Sequence, residues 1–334
     1  MFTQTELLKK IDAAIESLTY SQEPRDLYEP IRYVLSLGGK RVRPLLMLMA
    51  YNLYREDVDT IMPNAVALET CHNFTLLHDD VMDRAEMRRG KPCVHKVWTE
   101  NQAILSGDAM LILAYRMMAE HRFTDQEPLS TPHDREAKAL NTFTEATLEV
   151  CEGQQLDIDF ETRSDVTESE YLEMIRLKTS VLLAAALKIG ALLAGASSAD
   201  AQNLYEYGEK MGLAFQLQDD MLDVYGDPAV FGKKIGGDIL SNKKTYLLIQ
   251  TLTLANDRQR AELEAWLGRT EYDAEAKITA VRAIYDALDI RQLCEKKIAS
   301  YFDEAQKNLA AVAVDDARKT HLQAFADELM GRTF

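Results

Sequence analysis

Two aspartate groups carry the first chemical signal. "HDDVMD" holds Asp79, Asp80 and Asp83, and "LQDDMLD" holds Asp219, Asp220 and Asp223, both in the pattern Asp-Asp-x-x-Asp. On a helix, side chains three or four apart share a face, so each triplet makes a patch of carboxylate oxygens. Oxygen donors without nitrogen or sulfur suit Mg2+, which is commonly shared with substrate phosphates. One such cluster alone is often a solvated helix end. Two copies, each after a strongly apolar stretch, point to bound cations instead. Carboxylates directed at one cavity repel strongly in low dielectric unless they are neutralised.

Four basic groups accompany them. "GGKRVRP" offers Lys40, Arg41 and Arg43; "RRGKP" offers Arg88, Arg89 and Lys91; "RLKTS" offers Lys178 and Thr179; "FGKKIGGDILSNKKTY" offers Lys233, Lys234, Lys243 and Lys244. Arginine forks and lysine point charges both suit phosphate oxygens. Glycines before a helix start let backbone amides approach an anion. Each group alone reads as solvated surface. Together with the aspartates they suggest two anion pockets, one bridged by metal and one held by arginine and lysine.

The elements that must position these groups are helical. The chain has 334 residues, 47% hydrophobic and 28% charged, enough for a large core. Eight prolines and 15 glycines are few for this length and favour long uninterrupted helices. Apolar periodicity predicts helices over 63–77, 101–121, 134–161, 167–194 and 198–226, and the tail from 256 is helical in pattern. Thr167 with Glu170 makes a capping box. Gly195 reads as a stop, and Ser197 and Ser198 as a new N-cap. No alternating strand run or Asn-Gly or Asp-Gly hairpin signal stands out. The expectation is an all-α helical bundle, and no linker divides residues 1–334, so one domain is expected.

Composition also bounds the partners. The net charge is −16, and the basic residues sit in short clusters instead of a stripe, so no nucleic-acid partner is expected. Cys71, Cys93, Cys151 and Cys294 lack CxxC spacing and fit reduced thiols in the cytoplasm. The N-terminus lacks the apolar core of a signal peptide. The longest apolar run, 181–196, is broken by Lys188 and falls short of the ~20 residues a membrane span needs. It reads as a core helix.

The ordered set "GGKRVRP", "HDDVMD", "RRGKP", "GD" at 107–108, "EGQQLD", "KTS", "FQLQDDMLD", "GKKIGGD" and "KKTY" resembles the trans-isoprenyl diphosphate synthases, the family of farnesyl and geranylgeranyl diphosphate synthases. The resemblance implies an all-α homodimer with a deep central cavity in each subunit. It implies head-to-tail condensation of isopentenyl diphosphate with dimethylallyl, geranyl or farnesyl diphosphate. The allylic diphosphate ionises, isopentenyl diphosphate attacks the carbocation, and released diphosphate takes the proton. By motif, Asp79, Asp80, Asp83, Asp219, Asp220 and Asp223 would hold about three Mg2+ ions, with Mn2+ a possible substitute. Arg88, Lys178, Thr179, Gln216, Lys233 and Lys243 would face the allylic substrate. Lys234 rivals Lys233, because the spacing differs by one residue here. Lys40, Arg43, His72 and Arg89 would bind isopentenyl diphosphate. Asp108, Gln154 and Asp157 would support them from behind.

Product length turns on "NFTLLHDD". Thr75 lies one helical turn, ~5.4 Å, below Asp79 on the same face. Phe74 points away from that face at ~100° per residue, so the helical wheel alone does not make it a floor. The resemblance does, because an aromatic five residues before the first aspartate limits the product in that family. With threonine next to it, the expected product is geranylgeranyl diphosphate (C20), with farnesyl diphosphate (C15) the alternative.

Three rivals are weaker. His78-Asp79 superficially resembles the dyad of metal-dependent phosphohydrolases, but that class needs further histidine ligands. A terpene cyclase carries a different second metal motif. A non-catalytic partner subunit tends to lose one aspartate cluster, and both are complete here.

Overall fold

Long segments with few glycines and prolines become helices, and side-chain caps set where they begin. The computed structural model describes residues 1–20, 23–120, 132–226 and 235–331. In chain order the helices are α1 (Gln4–Glu16), α2 (Arg25–Ser36), α3 (Val42–Asn52), α4 (Met62–Met82), α5 (Val94–Val97), α6 (Glu100–Met118), α7 (Pro132–Thr162), α8 (Glu168–Ile175), α9 (Val181–Ala194) and α10 (Ser198–Tyr225). Then follow α11 (Gly237–Leu240), α12 (Tyr246–Leu254), α13 (Asp257–Leu267), α14 (Ala274–Ala287), α15 (Ile290–Ala311) and α16 (Asp316–Met330). Thr3 with Glu6, Thr99 with Gln102, Thr167 with Glu170 and Asn256 with Gln259 form reciprocal capping boxes. Ser197 accepts from the Asp200 amide at 3.1 Å, the new cap expected after Gly195. The all-α expectation holds.

The chain forms two compact units. One comprises Met1–Thr147, Ala185–Tyr205 and Ala311–Leu322; the other comprises Leu148–Ala184, Glu206–Ala310 and the segment from Gln323. In the first, α4 runs through the core, with Ala65, Ala67, Leu68 and Cys71 buried, and packs against α3 and α6. In the second, Leu213, Leu217, Met221 and Val224 of α10 pack with Leu247, Leu263, Val281 and Ile290.

Three details depart from the sequence reading. First, the helix expected over 167–194 contains a π-helical turn at Arg176–Ser180. Second, that helix, counted through its π turn as Glu168–Ala194, is long and apolar enough to cross a membrane, contrary to the length argument. The apolar run gains length by continuing into α8. Its most apolar window is 83% buried inside the protein, which keeps it a core helix. Third, a minimal antiparallel hairpin pairs β1 (Met87–Arg88) with β2 (Lys91–Pro92) where no strand was expected. Its turn residues, Arg89 (φ 52°) and Gly90 (φ 75°), are both left-handed, the geometry that suits two-residue hairpins. An arginine in the first turn position gives no usual hairpin signal.

Candidate active site

The first aspartate cluster closes α4. Asp83 caps the helix, and the Asp83 amide donates to the Asp79 carbonyl at 2.8 Å, so Asp79 and Asp83 share a face. Arg84 then adopts φ 52°. The Arg84 amide donates to Val81 O at 3.2 Å and the Ala85 amide to Asp80 O at 2.9 Å, a Schellman closure. That closure turns the chain back into the hairpin and brings Arg88 onto the acids. Arg88 Nε donates to Asp80 Oδ2 at 2.7 Å, Nη2 lies 2.7 Å from Asp80 Oδ1, and Nη2 lies 3.7 Å from Asp79 Oδ2. Asp80 is buried, Asp79 half-buried and Asp83 exposed. Beside them, burial first and the Asp80 carboxylate second push the Cys93 thiol up to about 12, so it stays protonated.

Arg89 leads elsewhere. From the strained turn its Nη1 donates to the Gly38 carbonyl. Gly39 (φ 144°) leaves room for this, since a Cβ there would lie 2.8 Å from the Arg89 guanidinium carbon. Nearby, Arg41 donates to Glu69 Oε1 at 2.7 Å, with side chains only 5% and 2% exposed. Arg41 also donates to Leu35 O at 3.0 Å. Asn73 Nδ2 donates to Glu69 Oε1 at 3.0 Å. Burial pushes Arg43 down to about 10, with Glu69 opposing the shift, and burial also lowers Arg89. Arg43 Nε is buried and has no hydrogen-bond partner among the described residues. Burial, then Arg43 and Arg89, hold His72 well below the usual histidine pKa, so it is neutral near pH 7. Lys40 is exposed. Glu69, the counter-charge of the whole group, was not singled out from sequence. Its one signal is a carboxylate on α4 among the apolar positions Ala67, Leu68 and Cys71.

Asp108 sits exposed on α6 beside His78, with 4.0 Å between His78 Nε2 and Asp108 Oδ1. Phe74 is buried and stacks edge-on against His78, with ring centroids 4.9 Å apart. Thr75 is half-buried, and its hydroxyl donates to His72 O at 2.8 Å.

In the second unit a chain of polar contacts surrounds the second cluster. The Thr179 hydroxyl donates to Gln216 Oε1 at 3.1 Å, and Gln216 Nε2 donates to Asp220 Oδ1 at 2.9 Å. The Tyr171 hydroxyl donates to Asp220 Oδ2. Burial first, and the Asp238 carboxylate second, push Asp220 up to about 7. Asp223 accepts the Asp238 amide at 2.9 Å, and its carbonyl accepts the Gly236 amide at 2.6 Å. Lys178, in the π turn, donates to Asp157 at 2.6 Å. Gly153 packs against that turn, where a Cβ would lie 2.3 Å from the Lys178 backbone nitrogen. Gln154 is the next residue on α7 and is half-buried. Asp219 is half-buried on α10, and Lys243 is exposed after α11. Lys233 and Lys234 lie outside the described residues. Tyr171 was not anticipated, and Asp238 only as the last residue of the "GKKIGGD" motif, with no role given to it.

The sequence profile of the polyprenyl synthetases matches residues 24–285. The chain belongs to the polyprenyl synthetase family. A geranylgeranyl diphosphate synthase of Methanosarcina mazei is 40% identical over 97% of this chain and 95% of its own. A solved geranylgeranyl pyrophosphate synthase is 42% identical, covers 100% of both chains and superposes with a TM-score of 0.91. A polyprenyl synthase from Caulobacter crescentus CB15, solved with calcium and isoprenyl diphosphate, is 30% identical over 98% of this chain and 94% of its own, with a TM-score of 0.81.

For this polyprenyl synthetase the donor chemistry can be tested against a divalent cation. Among the described residues no three His, Cys, Asp or Glu side chains close into a ready cage. Mg2+ does not need one. It is commonly held by one or two carboxylates, with waters and substrate phosphates completing its shell. Asp79 with Asp83, and Asp219 with Asp223, supply such all-oxygen pairs at helical spacing. The residues fit the ion.

Proposed function

We propose that the chain, acting as one domain over 1–334, is a Mg2+-dependent prenyltransferase. It condenses isopentenyl diphosphate with dimethylallyl, geranyl or farnesyl diphosphate to geranylgeranyl diphosphate, with farnesyl diphosphate the second reading. The observation that carries this is the division of cations around α4. Arg88 lies on the Asp79–Asp80 pair, whereas Arg41, Arg43 and Arg89 gather around Glu69. These are two anion sites of different kinds, one rich in carboxylates and one held by guanidinium groups.

Asp79, Asp80, Asp83, Asp219, Asp220 and Asp223 would hold Mg2+, and Mn2+ would serve in its place. The metal supplies Lewis-acid neutralisation of the leaving diphosphate. Arg88, Lys178, Thr179, Lys243 and the lysine at 233 or 234 orient the allylic diphosphate so that its C–O bond ionises with negative charge spread over fixed donors. Gln216 holds Thr179 and Asp220 in register. Arg43, Arg89, Lys40 and neutral His72 bind isopentenyl diphosphate. The buried Arg43 Nε supports that role, since it is a donor suited to phosphate oxygen. Released diphosphate accepts the proton, so no protein base is required.

The exposed apolar side chains Ile104 (43%), Leu105 (59%) and Ile112 (67%) on α6 support a homodimer. The four free cysteines support a reducing, cytoplasmic setting. Incubating the protein with isopentenyl diphosphate, each allylic primer and Mg2+, then sizing the dephosphorylated product, tests the reading. Release of inorganic phosphate without C–C bond formation would defeat it.

A further inference from the structure

Lys277 takes no part in the proposed chemistry. It lies on α14 and is 0% exposed. No carboxylate pairs with it among the described residues. Its Nζ donates to Asn242 Oδ1 at 2.7 Å and to Leu240 O at 3.3 Å, and stands 4.3 Å from the Tyr272 ring centre. Burial lowers its pKa from the usual lysine value. Among the described residues only neutral groups hold this buried ammonium, an arrangement more costly than an apolar side chain of similar size.

What it holds is the turn that presents Lys243. Asn242 sits at φ 55°, an uncommon conformation for a residue other than glycine. Its side chain is clamped from both ends, with Oδ1 on Lys277 and Nδ2 donating to Leu267 O at 3.0 Å. The Tyr272 hydroxyl donates to Leu240 O at 3.0 Å, beside the Lys277 contact. The Lys243 amide then donates to Asp238 O at 2.9 Å, and the Asp238 amide donates to Asp223 of the second aspartate cluster at 2.9 Å. Behind the turn, the cavity lined by Asp238, Asn242, Lys243 and Thr245 has a volume of ≈ 10 Å³. That is room for about one water.

We infer that Lys277 is a positioning residue, which fixes the Leu240–Thr245 turn through Asn242 and Leu240 and so aims Lys243 at the allylic diphosphate. The inference rests on the proposed role of Lys243. Lys277 never touches substrate. It acts through a turn whose left-handed residue would otherwise relax.

The test compares Lys277→Met, Asn242→Ala, Lys243→Ala and the double variant Lys277→Met/Lys243→Ala, each with its melting temperature. Lys277→Met is expected to raise the KM for the allylic primer about tenfold, leaving the KM for isopentenyl diphosphate within about twofold. Asn242→Ala, on a half-buried turn, should reproduce the split if the methionine variant folds poorly. In the double variant the Lys277 change should add nothing to the primer KM of Lys243→Ala. A purely structural role would lower the melting temperature and move both KM values together, and that result overturns the inference. If Lys243→Ala impairs primer use while Lys277→Met and Asn242→Ala do not, the positioning role alone fails. If Lys243→Ala leaves the primer KM unchanged, the reading of Lys243 fails and takes the inference with it.

Discussion

Arg88 grips Asp80 through two contacts of 2.7 Å, from Nε to Oδ2 and from Nη2 to Oδ1. The guanidinium thus neutralises the carboxylates in the chain by itself. If Asp79 and Asp80 hold Mg2+ as proposed, the ion would take over this neutralisation and leave Arg88 to bind a phosphate. Arg88→Ala is therefore expected to cut kcat/KM for the allylic primer on the order of 100- to 1,000-fold, as loss of one charge-stabilising donor does. Arg89→Ala, from the turn that reaches Gly38, should chiefly raise the KM for isopentenyl diphosphate. Steady-state kinetics with each substrate varied checks the division, and equal effects on both substrates would contradict it.

Metal removal follows from the donor set. Asp79→Ala and Asp219→Ala should each lower the rate on the order of 1,000-fold without lowering the melting temperature, because each loss also relieves carboxylate repulsion. EDTA should abolish turnover, and excess Mg2+ or Mn2+ should restore it. Full turnover in EDTA would rule the assignment out.

Glu69 is the counter-charge for three arginines. Glu69→Gln should destabilise the protein by up to about 3–5 kcal/mol, because buried Arg41 would keep only its longer 3.3 Å contact with the partly exposed Asp12 as a counter-charge. The same change should weaken isopentenyl diphosphate binding, because Arg43 and Arg89 would repel one another without it. Denaturant unfolding and substrate kinetics on one preparation give both numbers. A fully stable variant would show that Glu69 is not the keystone of this group.

Product length tests α4. Thr75→Phe should shift the product from C20 toward C15 by filling the space one turn below Asp79, and Phe74→Ala should lengthen it beyond C20. Phe74 is also ordinary core, packed on His78, so its loss should cost ~3–5 kcal/mol. Chromatographic sizing beside thermal melting separates the roles. A destabilised Phe74→Ala enzyme with an unchanged product would remove Phe74 as a floor.

The aspartate triplets, the long helices and the Thr167–Glu170 cap were legible because each is written within a few residues of one helix. The unread features depend on distant partners. Arg41 looked like one more cation of a basic loop, yet it is a buried prop for Glu69. The Arg89–Gly90 hairpin gave no signal because arginine does not favour left-handed turns, and tertiary contacts hold it there. The links that join Gln216 to Thr179 and to Asp220 were likewise unread, because Thr179 lies 37 residues from Gln216. Nothing local announces Lys277, whose hydrogen-bond partners Asn242 and Leu240 lie 35 and 37 residues away.

The π turn at Arg176–Ser180 acts as a change of phase. One added residue advances everything after it by ~100°, more than a quarter of a rotation. Before the slip, Tyr171, Met174 and Ile175 are buried; within it, Lys178 and Thr179 stay only half-buried, so both polar groups fall between two apolar stretches without breaking either. A chain with one residue fewer here would keep both apolar stretches and lose their common seam. Deleting a single residue from this turn should therefore be far more damaging than replacing any one of its side chains.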